Sequence, residues 1–257
     1  MERMLLATGV LSDAAIIAGP IGAGDFSLNN LKKQSLQQFY RVNGQTVTLD
    51  FDLGAAKLID TIALIAHNAG GTANVQVTAG AVPGASTYDS GVLPAITGSK
   101  RFGKSLFFLF IPGGQAFRYW RIVLNAPDNT AVDIGRVYLS DSFQPSYNMV
   151  YGMQQGFIDP SQEYETVSGD SVSLKRKKRR MVDFTLEDLS EEETFTQLYP
   201  FDQLVGQTGD VLLVPKPDDT TYLQFSAIYG KIETTQPFSN TSWNRFSRQY
   251  KIKELLP

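Results

Sequence analysis

Apolar residues recur at every second position over much of the first half of the chain. In QTVTLDFDLG (Gln45 to Gly54), Val47, Leu49, Phe51 and Leu53 alternate with Thr48, Asp50 and Asp52. That alternation predicts a strand buried on one face and closed by Gly54. LIDTIALIAHN (Leu58 to Asn68) is a continuous, β-branched-rich run and predicts a more fully buried strand. TANVQVTAG alternates again, KSLFFLFI is aromatic and unbroken up to Pro112, and FRYWRIVLN and VDIGRVYLSD come after it. Turn residues separate these six predicted strands at short spacing, while helical periodicity is scarce. The expected class is therefore mainly β, a sandwich or jelly roll in place of βαβ units.

The texture changes after Asp141. SFQPSYNMVYGMQQGFIDPSQ holds two prolines and several aromatics with no clean period, so a junction is expected around residues 142 to 150. This divides the chain into a domain at 1–142 and a smaller β domain at 143–257. The second domain carries the clearest helix, SEEETFTQLYPFDQLVG, at about residues 190–204. Ser190 and Glu193 have capping-box spacing, the acidic first turn suits the helix dipole, and Pro200 is expected to end or kink the helix.

Composition narrows the function classes. The chain has 257 residues, 23 Lys plus Arg against 26 Asp plus Glu, and a net charge of -3, so nucleic acid is not an expected partner unless a local basic patch binds it. No cysteine is present, which excludes disulfides, thiolate metal sites and a cysteine nucleophile. No run approaches the roughly 18 apolar residues of a membrane span. The short apolar run Met4 to Leu11 is closed by Ser12 and Asp13 and is read as part of the folded chain rather than a signal peptide; folding in a cytoplasm is expected. His67 is the only histidine and lacks the partners a metal site or a triad needs. It is expected to end a strand and bond to nearby backbone. Asp50 and Asp52 fall on a solvent face and Glu191 to Glu193 on a helix start, so neither set needs a catalytic explanation. The glycine groups HNAGG, IPGG and PIGAG fit no phosphate loop and read as turns. No enzyme, cofactor or metal is expected.

FRYWRIVL raises a different question. If it is one strand, Phe117, Tyr119, Arg121 and Val123 share one face, and Arg118, Trp120, Ile122 and Leu124 the other. Each arginine then lies among aromatic and aliphatic groups. It is either a strut with a paired charge or a site holding a carboxylate or sugar hydroxyl over an aromatic platform. The stretch Arg118, Tyr119, Trp120, Arg121 resembles the RYxRI strand of discoidin-like, galactose-binding-type jelly rolls. VTLDFDLG, LIDTIALIAHN and DIGRVYLSD are similar to strands of that family in the same order, over roughly residues 1–142. The resemblance implies that Arg118 is structural, and it carries over no sugar-binding residue.

Over the whole chain, LSDAA, NNL, FDLG, AHNAGG, YDSG, RYWRI, IGRVYLSD, DPSQ, LSEEE and IYG occur in an order similar to minor tail or baseplate proteins of long-tailed bacteriophages. That resemblance implies a distal-tail-type structural protein in the virion, a homo-oligomeric ring contacting other tail and baseplate proteins and assembled in the host cytoplasm. A module contacting host surface glycan is the alternative, and a glycan hydrolase the weaker one.

The densest charge run is KRKKRR: Lys175, Arg176, Lys177, Lys178, Arg179 and Arg180. Val172, Leu174, Val182, Phe184 and Leu186 flank it at even positions. One uninterrupted strand would span about 50 Å, so a bent strand or a protruding hairpin is expected. Such an arm, apolar at its base and cationic at its tip, suits an acidic surface on a neighbouring subunit. A solvated loop and a phosphate-facing patch are the other readings.

Overall fold

The alternation in QTVTLDFDLG and the apolar run after it form a single long strand, not two. The computed structural model describes residues 3–97, 100, 102–233 and 236–257. The fold is mainly β and divides into two units: the chain up to Gln144 together with Asp210–Tyr229, and Pro145–Gly209 together with Gly230–Leu256.

In chain order the first unit contains β1 (Leu5–Ala7), helix α1 (Val10–Ala14), β2 (Ile16–Ala18), β3 (Tyr40–Asn43) and β4 (Thr46–His67). They are followed by β5 (Asn74–Gly80), β6 (Tyr88–Pro94), β7 (Ser105–Asn125), β8 (Ala131–Ile134) and β9 (Arg136–Ser140). One sheet has the order β2-β4-β7-β5-β6, with β9 also on β4; β3 and β8 form a separate pair. β4 and β7 run antiparallel along almost their whole length, and their register breaks between Asp52 and Lys57. Gly54, at φ +76°, lets β4 bend there, and Gly113 and Gly114, at φ +78° and +65°, let β7 bend at the next register break, opposite Ile59–Thr61; a side chain would be strained at each of these glycines.

The bend lets one strand serve one core twice. Val47, Leu49 and Phe51 before it, and Ile59, Ile62 and Leu64 after it, belong to the same buried cluster as Tyr40, Val42, Val132 and Ile134 of the β3–β8 pair. The predicted closing strand VDIGRVYLSD splits at Gly135, whose missing Cβ would come within 3.0 Å of the Ile65 carbonyl and the Ala66 side chain. Before that glycine the chain pairs with β3, and after it with β4.

The boundary expected near residue 142 needs revision. Asp210–Tyr229 belongs to the first unit, not to a continuous domain at 143–257. The physical reason is the three-residue strand β1, fully buried, whose ladder partner is Val211–Val214: Leu5 lies opposite Val214 and Ala7 opposite Leu212. Backbone polar groups that far inside must be paired, and the chain supplies the partner from about 200 residues later.

In the second unit, Arg179–Ser190 pairs with Gln154–Ile158 on one side and Arg245–Glu254 on the other. Val182, Phe184, Leu186, Tyr250 and Ile252 are buried, as alternation requires. The expected capping box is present: the Ser190 amide and hydroxyl donate to Glu193, and the Glu193 amide donates back to the Ser190 hydroxyl at 3.1 Å. The helix does not stop at Pro200. It widens into a π-helical turn over Glu193–Leu198 and continues as α-helix to Val205. The wider winding accommodates a residue that has no amide to donate.

Candidate binding groove

Alternation along β4 and β7 sends Phe51 and Trp120 inward and leaves Asp50, Asp52, Tyr119 and Arg121 half-buried on the outer side. Trp120 is 1% exposed, its indole donating to the Phe117 carbonyl at 3.2 Å and its ring 6.0 Å from that of Tyr88. Asp50 lies directly opposite Arg121 in the ladder, and the guanidinium reaches its carboxylate at 2.6 and 3.1 Å. Arg118 does not follow the face of Trp120. At the register break its side chain turns to Asp52, with contacts of 2.6 and 2.8 Å, and its guanidinium lies 4.9 Å from the Tyr119 ring centre. Asp52 also accepts the Gly54 amide at 2.8 Å. Arg118, and then that amide, holds the Asp52 carboxyl down to about 2. Both arginines of FRYWRIVL are thus paired with the two aspartates that alternation placed on the outer face.

Asp50, Asp52, Tyr119 and Arg121 border a groove. Ile16 and Ala18 of β2 form one wall, and Pro83, Gly84 and Ala85 of the β5–β6 connection form the other, enclosing about 680 Å³ of solvent-open space. The connection lies close over the sheet: a Cβ on Gly80 would sit 2.5 Å from that of Ala85. Ile16 is 72% exposed, so the groove is apolar in its walls and charged along its floor. An arrangement of this kind can hold a ring by its apolar face while carboxylate and guanidinium groups meet its hydroxyls.

No family model matches the chain, and no curated protein matches it. Solved structures resemble it over about half its length. One is described as CBM32 of AlyQ in complex with 4,5-unsaturated mannuronic acid, with 22% identity, 48% of this chain and 91% of that one, and a TM-score of 0.36. Another is the lectin domain of lectinolysin complexed with Lewis B antigen, with 14% identity, 53% and 96% coverage and a TM-score of 0.37. A third is a Ruminococcus gnavus GH29 fucosidase in complex with fucose, with 12% identity, 53% and 27% coverage and a TM-score of 0.41. Likenesses this remote carry no functional argument.

The other predicted residues lie elsewhere. His67 ends β4 as expected and is fully buried, with the Ala95 backbone as its polar neighbour. Burial first, with Lys100 and Lys104 adding to it and the Ala95 backbone opposing, drives its pKa down to about 3. Among the described residues, no group of three or more His, Asp or Glu could hold a metal ion.

The basic run divides. Lys175–Lys178 is an exposed connection, with Lys178 3.1 Å from Asp159, whereas Arg179 opens a strand. Arg180 is 8% exposed and reaches Glu254 at 2.8 Å. It is a buried ion pair, so it is not part of a cationic tip. A hairpin does form, but it precedes the basic run: its strands are Gln162–Glu165 and Ser171–Leu174, its turn is Thr166–Asp170, and the cations follow at its base.

Sequence reading missed the most enclosed polar cluster. Arg136 is 0% exposed and reaches Asp13 at 2.6 and 2.8 Å and Asp210 at 2.8 and 3.3 Å. The hydroxyls of Tyr138 and Tyr229 both donate to Asp210 at 2.8 Å. Burial, with the Asp210 charge, pushes both phenols up, so they act as donors and not as ionising groups. Each guanidinium nitrogen, both phenols and both carboxylates have a partner within the cluster. The cluster is structural.

Proposed function

We propose that the first unit is a non-catalytic, jelly-roll carbohydrate-binding module that holds a sugar ring in the groove over Tyr119. The observation that carries the reading is the coincidence, on one sheet face, of an aromatic ring, two carboxylate–guanidinium pairs and an apolar wall. Pairing each arginine with an aspartate leaves the floor nearly neutral, which favours a neutral or weakly charged glycan over a strongly anionic one. The similar solved domains are described as carbohydrate-binding and lectin modules, but the groove supports the reading without them. A glycan array on the full chain, followed by calorimetry on the best binder, tests it. Tyr119→Ala and Asp50→Asn should each lower affinity at least about tenfold without lowering the melting temperature by more than a few degrees. An array with no binder, or a binder indifferent to both substitutions, refutes the groove as the site.

A second reading can coexist with the first. The order of motifs along the chain supports a distal-tail-type structural subunit of a long-tailed bacteriophage, in which the second unit makes the ring and tail contacts and the first meets host surface glycan. Imaging intact particles with a label on this chain tests it, and a label absent from the tail tip refutes it.

A further inference from the structure

Every residue from 162 to 179 is exposed. Within this stretch Gln162–Glu165 and Ser171–Leu174 form a two-stranded ribbon, with Gln162 opposite Leu174, Tyr164 opposite Val172, and Glu165 opposite Ser171. Opposed residues share a face. One face therefore carries Gln162, Tyr164, Val172 and Leu174, with Val167 at the turn beyond it; the other carries Glu163, Glu165, Ser171 and Ser173. Tyr164 and Val172 are 55% exposed, Leu174 is 48% and Val167 is 110%. A lone two-stranded ribbon is marginal in water, and one that leaves its apolar face uncovered gains nothing from the amphipathic pattern it carries.

We propose that this face docks on the same face of a second copy of the chain, the two ribbons lying antiparallel about a two-fold axis. Charge selects both the partner and the direction. Continuing the even-numbered positions of that face, the tip of the ribbon carries the acidic Asp170, while its base carries Arg176 with Lys175 beside it. Antiparallel stacking sets each tip against the other copy's base, whereas parallel stacking sets like charge on like. An isologous contact of this kind places residues near the middle of the face next to their own counterparts. Four residue pairs cover far less than the roughly 1,000 Å² that a stable free interface needs, so the contact is weak between isolated chains and strengthens where copies are held together.

Covalent trapping reads such a contact, and the chain has no cysteine of its own to confuse it. Single-cysteine variants of the full chain are oxidised with oxidised glutathione and scored as disulfide-linked dimer. Val172→Cys, and Tyr164→Cys across from it, should couple to themselves at least about tenfold faster than Trp243→Cys, a cysteine at an exposed site outside the ribbon. Leu174→Cys should couple poorly to itself but readily to Val167→Cys when the two variants are mixed. Adding Tyr164→Asp to Val172→Cys should return its rate to that of the control, and raising salt should slow coupling. Mid-ribbon cysteines that couple no faster than the control overturn the proposal and leave the face to a different protein. Self-coupling of Leu174→Cys as fast as that of Val172→Cys overturns the antiparallel arrangement.

Discussion

The buried, neutral His67 makes a signed prediction about pH. In the unfolded chain an imidazole titrates near 6.5, whereas in the fold burial drives this one down to about 3. The folded pKa is the depressed one, so the unfolded state binds the extra proton first as pH falls. Stability from this group is fully present above about pH 6.5, declines between 6.5 and 3, and is lost below. Each pH unit in that window is worth about 1.4 kcal/mol, so at pH 5 the loss is about 2 kcal/mol. Urea unfolding of the full chain at pH 7.5, 6.5, 5.5 and 5.0, followed by the fluorescence of buried Trp120, measures it. His67→Phe is the comparison, and the slope against pH, not the stability at one pH, is the readout. Replacing the ring changes packing at every pH, but only the imidazole takes up a proton in this window. The difference between the two slopes should be close to one proton. Parallel slopes would refute the neutral, desolvated assignment and place His67 within reach of water.

Three further outcomes are expected of the first unit. Asp210→Ala leaves the Arg136 guanidinium with Asp13 alone and strands the Tyr138 hydroxyl, and should cost about 3–5 kcal/mol in denaturant unfolding. The all-apolar variant Arg136→Met, Tyr138→Phe, Asp210→Leu should lose less than that single change, because no buried charge is orphaned; a larger loss would mean the network adds net stability. Truncation after Gln144 removes the ladder partner of Leu5–Ala7 together with Asp210, and should give a molten or insoluble product by near-ultraviolet dichroism; a cooperative unfolding transition would show that Asp210–Tyr229 is dispensable.

Local pattern was legible where its cause was local. The half-buried face of β4, the inward Trp120, Ile122 and Leu124, and the Ser190–Glu193 cap all arise from residues within a few positions of one another. The fusion of predicted strands into β4 and β7 was not, because Gly54 and Gly113 mark a bend within a ladder as readily as a turn that ends one. Nor was the return of Val211–Val214 to β1, since a three-residue strand has too short a period to announce itself and its partner lies at the far end of the chain. For the groove, sequence supplied Arg118, Tyr119, Arg121 and both aspartates, but their pairing depended on a strand register that no single-strand pattern reveals.

The arginines show why residue type and neighbours alone could not settle their roles. RYWRI, GRVYL and KRRMV all place arginine among aromatic or aliphatic residues, yet Arg118 and Arg121 keep about two-fifths of their side chains in water while Arg136 is sealed and Arg180 nearly so. What separates them is where the carboxylate lies: Asp52 and Asp50 sit partly exposed on the strand beside Arg118 and Arg121, whereas Asp210 and Glu254 are buried and come later in the chain than their arginines. Arg136 to Asp210 and Arg180 to Glu254 each span 74 residues, so each pair closes only after a late segment has returned to its unit. A buried guanidinium without its carboxylate is costly, which penalises arrangements in which Asp210 or Glu254 sits elsewhere more than it stabilises the native one. The exposed pairs carry no such penalty, since water satisfies either partner when the other moves. Arg118 and Arg121 can therefore exchange an aspartate contact for a ligand hydroxyl at little cost, while Arg136 and Arg180 cannot. The chain has placed its adaptable arginines where a partner could reach them and its inflexible ones among its own buried carboxylates.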